Sequence, residues 1–244
     1  MVNLLEVKNV SYTYRSKYQV TEALKEVSCT FDSRRLYVLR GPSGSGKTTL
    51  LSLLAGLDLA TEGDVFLRGV SFGKLDREKL RREDVAIIFQ AFNLFPLLTA
   101  QENVMFPLQI SGVTSRKAKN AAAALLQSVG INEEQFGKYP DMLSGGEQQR
   151  IAVARALASG AKIILADEPT GSLDSANGQK IMDILKRLVE EEGYCVIVVT
   201  HDMTIADQAN VIYSLKDGRL LEEGEMRNEA ARITVYDGDG LLLK

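Results

Sequence analysis

The chain has 244 residues, 45% hydrophobic and 25% charged, with a formal net charge of −3. This composition fits a globular protein of one or two domains with a full core, and the slight excess of acid argues against a general nucleic-acid binder. No run of about 18 apolar residues predicts a transmembrane helix, and two distant cysteines with a single histidine build neither a disulfide framework nor a His/Cys metal cluster.

Residues 4–10 read as a strand, and Leu36-Tyr37-Val38-Leu39 as a short buried strand ending at Gly41. Leu50, Leu53, Leu54 and Leu57 then fall at helical spacing over 48–57, with Gly56 weakening the last turn. Strands follow at 64–67 and 85–89. An alanine-rich helix is predicted over 115–129 with Gly130 as its stop, and another over 144–158. Ile163-Ile164-Leu165-Ala166 is a buried strand, 179–192 carries a helical apolar stripe, and 196–199 is the next strand. Residues 211–221 read as a hairpin turning at Asp217-Gly218, and 233–243 as a second around Asp237-Gly238-Asp239-Gly240. Cys29 and Cys195 sit in apolar strand-like stretches and fit a reduced cytosolic setting. The N-terminus lacks the basic and apolar regions of a signal peptide.

Alternating strands and helices predict an α/β fold with a mostly parallel sheet. The helix-only stretch 91–158 predicts an inserted helical lobe. The core lobe is then 1–90 and 159–224, one domain over 1–224, with 225–244 a C-terminal extension.

Gly41-Pro42-Ser43-Gly44-Ser45-Gly46-Lys47-Thr48 matches G-x-x-x-x-G-K-[ST] between a predicted strand and a predicted helix. In such a loop the backbone N–H groups wrap phosphates, Lys47 offers charge to the β- and γ-phosphates, and Thr48 offers a hydroxyl to Mg²⁺. Downstream, the strand 163–166 runs into Asp167-Glu168. Ligands of open α/β sheets bind beyond the carboxyl ends of strands. Asp167 is therefore a candidate to help hold Mg²⁺ through water, and Glu168 the candidate base for an attacking water. A solvated strand end is the alternative.

A second anion site is predicted at Leu143-Ser144-Gly145-Gly146-Glu147. Ser144 and Glu147 form a capping-box pattern, and the glycines leave the helix start accessible. Two such sites mean two ligands, or one ligand shared with a partner chain.

These motifs together resemble the ATP-binding cassette ATPases, the nucleotide-binding subunits of ABC transporters, over about residues 4–224. The fold implied is a P-loop NTPase core with a mostly parallel sheet, an antiparallel β subdomain and an inserted helical lobe. The phosphate loop and Asp167-Glu168 are its Walker motifs. Leu143–Glu147 resembles the LSGGQ signature, with Glu147 in place of the commonest Gln. The resemblance implies ATP and Mg²⁺ as ligands, with nucleotide contacts from 41–48 and Thr49. It implies Gln90 as the Q-loop glutamine near metal and water, Ser172-Leu173-Asp174 as the D-loop, His201 as the switch histidine and Tyr14 as the aromatic under adenine. Each has a plainer alternative. Tyr14 shares a strand face with Val10 and Tyr12 and could be core, with Tyr12 a rival for stacking; Asp174 could cap the following helix.

The family mechanism is a head-to-tail pair of ATPase subunits in which the signature of one, at Ser144, Gly145, Gly146 and Glu147, closes over the γ-phosphate held by the other. The segments Phe89–Pro96, Asp167–Asp174 and Leu57-Asp58 further resemble the subfamily of lipoprotein release, macrolide export and antimicrobial-peptide export. That implies a homodimer at the cytoplasmic face of the membrane, an FtsX-like integral permease, and room for an accessory periplasmic or extracellular protein. A mechanotransmitting or sensory role without transport is the alternative function. Phe92, Leu94 and Phe95 pack within the helical lobe or dock on a membrane subunit's cytoplasmic helix.

Overall fold

The computed structural model describes residues 4–221; the hairpin expected at 233–243 lies outside them. The first strand, β1 (Leu5–Arg15), pairs antiparallel with β2 (Val20–Phe31) and β4 (Glu62–Leu67), and β4 pairs with β5 (Val70–Ser71). The second sheet holds β3 (Arg35–Arg40), β6 (Val85–Ile88), β7 (Ile163–Asp167), β8 (Cys195–Val199), β9 (Val211–Lys216) and β10 (Arg219–Leu221). Its order is β10-β9-β3-β8-β7-β6, parallel except for β10.

The unbroken apolar runs of β3, β7 and β8 are explained by burial on both faces. Ile163, Leu165, Ile197 and Leu39 face the antiparallel sheet and Leu50, Leu53 and Leu54 of α1 (Lys47–Leu54). Ile164, Ala166, Val196 and Val38 face α6 (Gly145–Ala158) and α7 (Ser175–Glu190). Strand parity then places Asp167 on the α1 face, where the phosphate loop lies.

Between α1 and β6 the short α2 (Arg77–Glu83) is capped by Asp76. Between β6 and β7 the described chain forms helices only: α3 (Ala100–Ile110), α4 (Ser115–Ser128), α5 (Glu133–Phe136) and α6. The fully buried Asn103 binds the Phe95, Leu98 and Thr99 carbonyls, which fixes the chain entering α3. A last helix, α8 (Met203–Ala206), follows β8.

The elements depart from the sequence reading at several points. Helix α1 ends at Leu54 rather than Leu57, because Gly56 turns left-handed at φ 63 and leaves Leu57 exposed. β1 runs to Arg15 rather than Val10, and the strand-like stretch at Cys29 is the end of a longer strand, β2, that starts at Val20. Their pairing carries register shifts, with Asn9 and Glu26 at positive φ, so the alternation is broken in β1 after Val7 and in β2 before Val27, while Val27, Cys29 and Phe31 keep it. Helix α7 starts at Ser175 because Asp174 caps it, four residues before the apolar stripe begins. Cys29 and Cys195 are buried free thiols, pushed up to about 12 by that burial.

Candidate functional site

The loop after β3 is pressed by its neighbours. A Cβ on Gly41 would lie 2.1 Å from the Leu215 carbonyl oxygen, and one on Gly46, at φ +104, would lie 2.4 Å from that of Ala23. Gly46 is also the N-cap of α1, and no side chain caps that helix. Its leading N–H groups are therefore left to whatever enters the cleft. Lys47 bends back over the loop and donates to the carbonyls of Gly41 (2.8 Å) and Pro42 (2.9 Å). Ser45 Oγ is buried without a hydrogen-bond partner. The open cleft over the loop measures about 910 Å³ and brings together Tyr14, Gly41, Pro42, Ser43, Gly44, Gly46–Thr49, Asp167, Glu168 and His201.

Burial pushes the Asp167 carboxyl up, the Glu168 charge adds to this, and Lys47 opposes it. Glu168 takes a left-handed backbone, φ 45, as the chain turns off β7. This turn aims its carboxylate at His201, whose Nδ1 lies 3.0 Å from Glu168 Oε1. Tyr14 is half exposed on the cleft wall rather than in the core, while Tyr12 is turned away to Asp58.

Gln90, Ser144, Gly145, Gly146, Glu147 and Asp174 do not line this cleft. Gln90 is one step removed. A Cβ on Gly171 would meet both Gln90 Nε2 (2.9 Å) and Glu168 Oε2 (3.2 Å), so Gly171 leaves the room those two side chains share. Ser172 Oγ donates to the Gln90 carbonyl. Asp174 caps α7 and accepts from the backbone and side-chain amides of Asn177. The signature segment forms the capping box foreseen for it: Ser144 Oγ accepts from Glu147 N, and Glu147 Oε2 accepts from Ser144 N (2.7 Å). Glu147 also accepts from Gln135. Partial burial pushes the Glu147 carboxyl up, but the Ser144 N–H and hydroxyl, with Arg150 and Lys138, outweigh that and hold it low.

A family model described as "ABC transporter" matches residues 24–171. The chain belongs to the ABC transporter ATP-binding cassettes. As a member it is an ATPase. It is 44% identical to an uncharacterized ABC transporter ATP-binding protein, MJ0796, of Methanocaldococcus jannaschii, over 92% of this chain and 98% of that protein. It is 39% identical to the macrolide export ATP-binding/permease protein MacB 1 of Yersinia pestis bv. Antiqua, over 94% of this chain but only 35% of that larger protein. A dimeric structure of MJ0796 in a post-hydrolysis state, bound to ADP and Pi, superposes with a TM-score of 0.85 at 41% identity, covering 92% of this chain and 100% of that one.

The residues of the cassette suit the implied ligands. An uncapped helix start and an orphaned buried hydroxyl in a glycine cradle suit phosphate. An acid whose charge is disfavoured by burial and by a second acid suits a divalent cation. Thr21, Glu22, Ala23 and Lys25 of β2, with Asp217 and Gly218 of the β9–β10 turn, also line the cleft; the sequence reading assigned no role to the turn and did not extend the strand at Cys29 back to Val20. The alternation Val27, Cys29, Phe31 was the available signal.

A second cavity of about 390 Å³ lies beside α3 and the end of β6, with Phe89, Phe95, Phe106, Pro107 and Ile110 among its lining residues. Arg155 also lines it, donating to the Phe92 and Asn93 carbonyls and lying over the Phe95 ring. Phe92 and Asn93 are both at positive φ, and Leu94 packs into the core. Among the described residues no helix is long and apolar enough to cross a membrane.

Proposed function

We propose that the cassette hydrolyses Mg²⁺-bound ATP in a site shared between two copies of this chain, and that the cycle drives an FtsX-like permease at the cytoplasmic face of the membrane. The observation that carries this is the separation of two half-sites on one chain. The cleft holds the phosphate loop, Asp167, Glu168 and His201, while the signature helix start lies outside it. A second copy supplies the missing half. The ADP- and Pi-bound dimer of MJ0796 supports that arrangement.

In this reading Tyr14 stacks on adenine, and Lys47 leaves the loop carbonyls for the β- and γ-phosphates. Residues 41–49 wrap the phosphates with backbone and hydroxyl donors. Thr48, Asp167 and Gln90 would hold Mg²⁺, which would neutralise phosphate charge when bound. Glu168 takes a proton from the attacking water as its oxygen bonds to the γ-phosphorus and the bridging oxygen leaves with ADP. His201, already in contact with Glu168, orients that carboxylate and reaches the γ-phosphate. The partner's signature helix closes over the same phosphate through its N–H groups, so loss of Pi releases the dimer.

The aromatic cavity beside α3 supports docking of a cytoplasmic permease helix: Phe95, Phe106 and Ile110 are exposed there. The MacB relatives, described as macrolide export ATP-binding/permease proteins, support a permease partner and an export role; a cargo of lipoprotein, peptide or antibiotic type is the reading we propose.

The shared site is tested by sizing. Glu168→Gln should bind ATP, lose hydrolysis by about 10²- to 10⁴-fold, and run as a dimer only when ATP is present. Adding Gly145→Asp should abolish the dimer and spare ATP binding by the monomer. A Cβ at Gly145 meets only ordinary contacts, 3.5 Å from Leu173 and Phe92, so the fold should survive. A dimer that persists would exclude the facing arrangement. Affinity purification from membranes then identifies the permease; recovery of a non-transporting partner would favour the mechanotransmitting role.

A further inference from the structure

The end of β1 is paired with a strand on one side only. β4 pairs with β1 as far as Ser11, so Tyr12 to Arg15 have β2 on one flank and no strand on the other. On that flank the Thr13 N–H donates to Thr61 Oγ1 at 3.0 Å, and two tyrosine hydroxyls tie the end of β1 to α1 and its exit. The Tyr14 hydroxyl lies 3.2 Å from Thr49 Oγ1, near the start of α1. The Tyr12 hydroxyl donates to Asp58 Oδ2, just past the helix end, and Asp58 Oδ1 accepts from Leu59 N at 2.8 Å. The two rings meet edge to face, with centroids 4.8 Å apart and planes at 74°, a favoured aromatic geometry. The bond to Asp58 pushes the Tyr12 phenol up to about 12 and holds the Asp58 carboxyl low, so Tyr12 stays a donor and Asp58 an acceptor across the working pH range.

We infer that Tyr12 and Asp58 are positioning residues that fix the orientation of the Tyr14 ring toward the nucleobase. Tyr12 does not itself line the cleft. It acts through its ring edge on Tyr14, and Asp58 acts by holding Tyr12. Helix α1 thereby couples both halves of the ligand site: its start carries the phosphate loop, and its exit sets the base platform. An unclamped Tyr14 must be ordered by the ligand itself, which costs affinity. This inference rests on the reading of Tyr14 as the stacking residue.

The test compares ATP with inorganic tripolyphosphate, which has the phosphates but no base. In the full-length protein, Tyr12→Phe keeps the ring edge and removes only the hydroxyl. It should weaken ATP binding by about three- to tenfold, the scale of one lost hydrogen bond. Tripolyphosphate binding should stay unchanged, and KM for ATP should rise without a matching fall in kcat. Asp58→Ala should have the same effect, and the double variant no more than either single one. If Tyr12→Phe leaves ATP affinity unchanged, or weakens tripolyphosphate equally, the inference fails. Tyr14→Ala is read separately: an unaltered preference for ATP over tripolyphosphate would overturn the stacking reading itself.

Discussion

Two helices of the cassette start at glycines, and their first turns are in opposite states. Helix α1 begins at Gly46 in a left-handed conformation with no side-chain cap, and Lys47 supplies positive charge beside it. Helix α6 begins at Gly145 behind a complete capping box at Ser144, and the Glu147 carboxylate sits on the Ser144 N–H. The first start is open to an anion. The second already has one of its own, and only the N–H groups of Gly145 and Gly146 remain over. The same glycine signal therefore marks a strong, self-sufficient anion site in one place and a weak, partly satisfied one in the other. This asymmetry suits an enzyme whose nucleotide binds first to the open start and recruits the second start from another subunit.

The largest expected effect that sharpens this contrast is Lys47→Ala. It removes the charge from the open start and should weaken ATP binding by about 10- to 100-fold, on the scale of a charge-assisted bond; equilibrium binding of a fluorescent ATP analogue measures it. Glu147→Gln should act in the other direction at the second start. Glutamine keeps a side-chain oxygen for the Ser144 N–H but removes the charge facing an incoming phosphate. ATP-driven dimerisation should strengthen by about threefold, read by analytical ultracentrifugation. A weaker dimer would show that the Glu147 charge helps closure.

The pH dependence gives a control on that variant. The folded Glu147 carboxyl is held below its ordinary value of 4.5, so its contribution to stability is present above that value and is lost only as pH falls through the lowered one. Dimerisation of the wild type between pH 8 and pH 5, about the range in which this group stays ionised, should show no titration traceable to Glu147.

Ser144→Ala removes the cap and should lower the melting temperature by about 2–4 °C. If the backbone N–H groups carry the phosphate contact, dimerisation falls by only about two- to threefold beyond that destabilisation. The smallest effect is expected at Asp167. Its folded carboxyl lies above the ordinary 3.8, so the folded state binds more protons and stability declines as pH rises from the ordinary value through the raised one. Asp167→Asn should therefore raise the melting temperature of the nucleotide-free protein at pH 7 by about 1–2 °C. The gain should shrink toward pH 4, and Mg²⁺-dependent ATP binding should weaken. Calorimetry that shows a gain independent of pH would remove the linkage.

The phosphate loop was readable because its chemistry is contiguous: backbone N–H groups, one lysine and one hydroxyl within eight residues need no tertiary partner to be recognised. Asp167 and Glu168 were readable for a related reason, since a run buried on both faces ends where the sheet ends. The first half of β2 was not, because register shifts and Glu26 at positive φ break the alternation before Val27. Tyr14 could not be told from a core residue by spacing, because register shifts after Val10 rotate it onto the cleft.

The sequence by itself determined the α/β class, the glycine-rich phosphate loop before α1, the capped start of α6 and the acids at the end of β7. Each rests on local backbone geometry or on burial along a single segment. Only the tertiary structure decided which groups share a site. It set His201 against Glu168 across two neighbouring parallel strands, tied Tyr12 to Asp58 beyond the end of α1, and left the signature helix outside the phosphate cleft. Those outcomes depend on sheet order, on bulges and on the path of α1, which are settled when distant segments pack together.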